Sequence, residues 1–99
     1  MATSEQHKKV RLTCNCGTPY VLNTVNDLRR RCINEQCRAT LAMSQEELWE
    51  YHACLRALIK ALVLGHDYRQ ELKIASNVSR MFESPYTIEI VEVSELAGR

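Results

Sequence analysis

Cys14-Asn15-Cys16-Gly17 and Cys32-Ile33-Asn34-Glu35-Gln36-Cys37 are the two stretches that decide how the first half of this chain folds. Two cysteines on one tight loop supply one edge of a tetrahedron, and a second such loop completes it. The 15 residues between Cys16 and Cys32 accommodate a β-hairpin that returns the second pair to the first. Cys14, Cys16, Cys32 and Cys37 are therefore expected to bind one structural Zn2+ ion. Gly17 suits its loop, because backbone at a metal knuckle takes conformations that a β-carbon hinders. Five cysteines are an odd number, and Met1-Ala2-Thr3-Ser4-Glu5-Gln6-His7 has no apolar core of a secretion signal. In such a chain paired cysteines read as metal ligands before disulfides, and the expected compartment is the cytoplasm.

Working outward, Lys9-Val10-Arg11-Leu12-Thr13 alternates polar and apolar residues and predicts a half-buried strand entering the first pair. Thr18-Pro19-Tyr20-Val21-Leu22 is its return strand, Asn23 to Asp27 is turn-rich, and Leu28 to Arg31 leads to the second pair. Residues 10–42 resemble the zinc-ribbon superfamily, in which two cysteine knuckles on β-hairpins grip one zinc. The loops here hold one and four intervening residues where the family's usual knuckles hold two. A treble-clef finger is the competing arrangement, but no Cys or His stands in the first turn of the following helix to complete it. Four thiolates would close the coordination sphere, so the expected metal is scaffolding and not catalytic.

A helix is expected from Ser44, an N-cap with Glu47 three residues on and a Met43–Leu48 staple. Leu48, Tyr51, His52, Leu55, Leu58, Ile59 and Leu62 form its apolar face, and Gly65 ends it. A second helix is expected from about Asp67, as cap, to Phe82, burying Tyr68, Leu72, Ala75, Val78 and Phe82. Tyr86 to Val93 reads as a strand that either joins the ribbon or pairs with its own copy across a two-fold axis. The expected fold is thus α+β: an N-terminal zinc ribbon whose zinc is held by four cysteines, an antiparallel two-helix hairpin and a C-terminal strand. The divisions are a flexible N-terminus at 1–8, ribbon at 9–42, helical hairpin at 43–83, strand at 84–94 and tail at 95–99.

Net charge is +1, but it is unevenly spread. Residues 1–42 hold seven basic and three acidic side chains, and residues 43–99 hold six and nine. Lys8, Lys9, Arg11, Arg29, Arg30, Arg31 and Arg38 gather around the cysteines, a pattern suited to backbone phosphates of nucleic acid or to an acidic protein surface. Plain solvation is the bland alternative, since three consecutive arginines cannot share one face of a strand and Tyr20 is the one aromatic nearby for stacking. Ala53, Ala57 and Ala61, with Trp49 at their end, make a small-residue face that admits another helix: a homodimer mate, a protein partner, or the second helix itself. Cys54 and His52 read as packed residues, and His7 and His66 as exposed.

No nucleophile–base pair, phosphate-cradling loop or carboxylate cluster is present, so the expectation is a non-enzymatic protein without a small-molecule substrate. No apolar run is long enough to span a membrane. Two functions remain: a regulatory or accessory protein whose ribbon contacts nucleic acid while its helices dimerise or dock, or a protein-binding module, such as an inhibitor or complex subunit, using the ribbon as a rigid platform.

Overall fold

The computed structural model describes residues 8–92. His7, most of the expected flexible N-terminus, the strand's end beyond Glu92 and the expected tail lie outside them. Alternation along Lys8-Lys9-Val10-Arg11-Leu12-Thr13-Cys14 produces strand β1 (Lys8–Cys14), which buries Val10, Leu12 and Cys14. Lys8, expected at the end of the flexible segment, is already part of this strand.

Strand β2 (Pro19–Leu22) runs antiparallel to β1, with Val10 opposite Leu22 and Thr13 opposite Pro19. The C-terminal strand β3 (Tyr86–Glu92) takes the other side of β1, Lys8 opposite Glu92 and Cys14 opposite Tyr86, giving the order β2-β1-β3. Of the two partners the sequence allowed for this strand, the structure pairs it within its own chain. Charge fixes the register: Arg11 Nη2 donates to Glu89 Oε1 at 2.8 Å, Thr13 Oγ1 donates to Glu89 Oε2 at 3.0 Å, and Lys8 Nζ lies 3.1 Å from Glu92 Oε2. The Arg11 hydrogen bond holds the Glu89 carboxyl below its ordinary range.

Helix α1 (Gln45–Leu64) starts as its sequence dictates: Ser44 Oγ accepts from Glu47 N at 3.1 Å, and Glu47 Oε1 accepts from Ser44 N at 3.0 Å. Gly65, at φ 74°, ends it, with Gly65 N donating to Leu62 O and His66 N to Ala61 O. Helix α2 (Arg69–Met81) starts two residues later than expected. Tyr68 is its capping position, and Asp67 acts from outside, accepting from Arg69 N at 3.1 Å and from the Arg69 guanidinium. Its end repeats the pattern of α1 without glycine: Glu83 sits at φ 57°, while Glu83 N donates to Arg80 O and Ser84 N to Ser79 O.

Both helices pack on the apolar face of the sheet, α1 against β1 and α2 against β3. Tyr51, Leu55 and Leu58 are fully buried there with Val10, Leu12, Leu22 and Leu41. The Tyr51 hydroxyl lies 3.3 Å from both Ser79 Oγ and Ser84 Oγ, and Ser79 Oγ donates to Tyr86 O at 3.1 Å. One polar chain therefore links α1, α2 and β3 inside the core. Of the residues expected to be buried on α2, Ala75 and Val78 are, whereas Tyr68, Leu72 and Phe82 are half-exposed.

Two substitutions should move stability in opposite directions in urea denaturation. Leu55→Ala leaves a hole in the core and should cost about 2–5 kcal/mol. Glu83→Gly removes a left-handed strain that only glycine takes freely and should add about 0.5–1 kcal/mol.

Candidate metal centre

The cysteine cluster is built by β1 and two turns. Cys14 ends β1, and the chain reverses at once: Gly17 N donates to Cys14 O at 2.7 Å and Cys14 N to Thr18 O at 2.9 Å. Gly17 takes φ 95° in that reversal, a conformation a β-carbon disfavours. The second pair sits in a looser hairpin, where Cys32 N donates to Ala39 O, Leu41 N to Arg30 O, and Arg31 is bridged to Thr40. Its tip is tightened by Asn34, whose backbone oxygen accepts from Cys37 N at 2.9 Å and whose Oδ1 accepts from Gln36 N at 3.0 Å.

All four sulfurs lie within 4.8 Å of one another. Cys14 and Cys37 are 3.7 Å apart, as are Cys16 and Cys32. A tetrahedral metal with bonds of about 2.3 Å to sulfur requires sulfur separations of about 3.8 Å. A disulfide would require about 2.05 Å, so the spacing is that of metal ligands and not of bonded pairs. Backbone amides also favour thiolates here: Asn34 N donates to Cys32 Sγ and Ala39 N to Cys37 Sγ, each at 3.5 Å. The amides of Cys16 and Thr18 act in the same sense on Cys14 and Cys16. The residues thus fit a metal ion in donor type, number and spacing.

The two pairs differ in exposure, with Cys14 and Cys32 buried, Cys37 half-buried and Cys16 exposed. As free thiols their acidities diverge. Burial pushes Cys14 up to about 12, whereas hydrogen bonding to Thr18 brings Cys16 down to about 6. The Thr18 hydroxyl lies 3.2 Å from Cys16 Sγ and accepts from Asn34 Nδ2 at 3.3 Å, so it joins the two loops.

Tyr86 and Tyr20 hold the second loop from behind. Their rings meet edge-on with centroids 5.7 Å apart, Tyr20 Oη accepts from Arg29 N at 3.1 Å, and Tyr86 Oη donates to Arg29 O at 3.2 Å. Tyr20, considered from sequence as a stacking aromatic, is therefore engaged in placing the arginine segment. Nothing in the sequence marked Tyr86, Thr18 or Asn34 as part of this assembly.

The seven basic residues do not form one patch. Lys8 and Arg11 are paired with Glu92 and Glu89 on the sheet, and Lys9 is half-buried. Arg29, Arg30, Arg31 and Arg38 are exposed, and among the described residues none forms an ion pair. Arg31 and Arg38 share a hollow with Glu35, Thr40, Cys32 and Cys37, directly beside the sulfurs. Arg29 lines a separate hollow with Asn23, Asn26 and Ile33. The alanine face divides likewise, since α2 covers Ala61 but leaves Ala53, Ala57 and Trp49 exposed. No helix among the described residues is long and apolar enough to cross a membrane. Compared with known proteins, the chain matches no family model, no curated protein and no solved structure.

Metal binding should release protons and weaken as pH falls, because thiols compete with the ion. At pH 7 Cys14 should surrender a proton on binding, and Cys16, already ionised, should not. Calorimetric titration in buffers of different ionisation enthalpy should therefore count fewer than four protons per ion, with the count rising below pH 6.

Proposed function

We propose that Cys14, Cys16, Cys32 and Cys37 hold one structural Zn2+, that residues 9–42 form a zinc ribbon, and that its arginines contact the phosphate backbone of a nucleic acid. Zinc is the reading best supported by four thiolates at tetrahedral spacing, and four thiolates leave no position for an activated water. When bound, the ion cross-links two loops that have little apolar packing of their own. Such sites contribute on the order of 10 kcal/mol or more to folding. The role is non-enzymatic.

The nucleic-acid contact rests on one observation: Arg31 and Arg38 share the hollow over the second cysteine pair, with Arg29 and Arg30 exposed nearby and none of the four in an ion pair among the described residues. Cations held on a rigid, cross-linked loop lose little entropy on meeting phosphate, and arginine forks match phosphate oxygens. A second reading, a protein-binding module with the zinc ribbon as platform, draws support from the exposure of Trp49, which is 76% accessible on α1.

Elemental analysis of the purified protein should give one zinc per chain, and Cys32→Ser should lose both the metal and the order of residues 9–42. The zinc-loaded protein should bind labelled DNA or RNA with an affinity that falls steeply with salt, by about 0.9 in log–log slope per phosphate on duplex DNA. Replacing Arg29, Arg30, Arg31 and Arg38 together by Gln should weaken binding at least about tenfold and flatten that slope, with circular dichroism unchanged. Lys8→Gln, at a side chain already paired with Glu92, should change it less than about twofold. Absence of binding to any of these nucleic acids at low salt would discard the nucleic-acid contact and leave the platform reading.

A further inference from the structure

The side of the two helices turned away from the sheet carries a continuous apolar face. Glu50, Ala53, Cys54 and Ala57 of α1 and Glu71 and Ile74 of α2 line one shallow groove between the helices. Large exposed side chains extend it: Trp49 at 76%, Met81 at 63%, and Ile74 itself at 46% accessible. Scattered exposed apolar residues are ordinary, but a groove flanked by Trp, Ile and Met is a surface built for contact.

The heights of these residues decide what fits. Tyr51 lies against Ser79 and Ala57 shares the groove with Ile74, so α1 and α2 run in opposite directions. Trp49 and Glu50 then stand level with Arg80 and Met81, and Lys60 stands level with Glu71. Each level carries an acidic and a basic residue on different helices: Glu50 with Arg80 at one end, Glu71 with Lys60 at the other. A partner surface of a single charge sign would meet repulsion at one position of every level. A second copy, turned about a two-fold axis parallel to the helices, lays its α2 against α1 and meets opposite charge at both ends.

We infer that the groove is the seat of a second copy of this chain, forming a homodimer whose α1 and α2 pairs close into an antiparallel four-helix bundle. In it Ala53 and Ala57 receive the second copy's Ile74, because small residues let the helix bearing it approach closely. Trp49 packs against the second copy's Met81, and Glu50 faces its Arg80. Arg56 and Lys73, at mid-height, are exposed on long stems that carry their charges to solvent. The sheets and cysteine loops remain on the outside of the pair. This concerns the helical layer alone and does not depend on what the arginines contact.

Light scattering of the zinc-loaded protein at micromolar concentration tests it. The expected mass is about twice the 11.4 kDa of the chain. Ala57→Glu and Ile74→Glu should each give monomers with unchanged circular dichroism and zinc content, both being exposed positions. Charge exchange gives the second arm. Glu50→Arg and Arg80→Glu should each weaken self-association about tenfold by placing like charges opposite each other, yet an equimolar mixture of the two variants should associate, because every cross-pair is then attractive. A wild-type monomer at these concentrations would overturn the proposal. So would a dimer that survives both groove substitutions, or a mixture that associates no better than its components.

Discussion

Convergence of four sulfurs from two loops is the constraint on which the rest of this structure depends. The segment from Cys14 to Leu41 contains one four-residue strand and a single 3-10 turn at Val25–Asp27, and it cannot bury enough apolar surface to fix its own course. What fixes it is the sulfur junction, assisted by the Thr18–Asn34 contact and by the tyrosine pair behind Arg29. Cys14 and Cys32 are at once members of this junction and of the hydrophobic core. Any free energy that holds the sulfurs together is thereby delivered into the packing of β1 and the helices.

β1 is the element through which that delivery runs. Its far end is Cys14, its apolar face meets α1, and both its edges are paired, by β2 and by β3. Tyr86 lies opposite Cys14, anchors α2 through Ser79 and reaches the arginine loop through its hydroxyl. Burial keeps this phenol far above its ordinary range, so it stays a donor at any physiological pH. The C-terminal strand is therefore a structural member of the cysteine module, although some fifty residues of helix and turn separate them in the sequence.

The parts legible in the sequence are those whose causes are local. Cysteine spacing, the Ser44–Glu47 box, Gly65 and the alternation of β1 and β3 each state a local backbone preference, and each is met by the observed geometry. The parts that escaped depend on where distant segments meet. Alternation marks β3 as a strand but carries no register, which the Arg11–Glu89 and Lys8–Glu92 pairs supply only once the strands are adjacent. The same pairs removed Lys8 and Arg11 from what looked like a single basic patch. Asp67 was readable as a helix-starting residue, but its side chain serves Arg69 while the helix opens at Tyr68. Glu83 in a left-handed conformation had no signal at all, since the residue favoured there is glycine.

The remaining arginines invite a simpler account, in which they balance the charge of the metal centre. Four thiolates around a divalent ion sum to a net charge of −2, and a cation beside them lowers the electrostatic cost of gathering the sulfurs. Backbone amides already meet much of that demand, since the residue two positions beyond each cysteine directs its N–H toward the sulfur. Arg31 and Arg38, sharing the hollow beside Cys32 and Cys37, would meet the rest. Arg29 and Arg30 then stand in excess, with Arg29 in a different hollow whose other members include Asn23 and Asn26. Water and salt screen the centre's charge to a small residual at exposed side chains outside its own hollow, so charge balance does not account for their presence. The surplus is two exposed cations on a backbone that two tyrosines hold in place, and a backbone fixed in that way serves a contact outside the molecule better than it serves solvation.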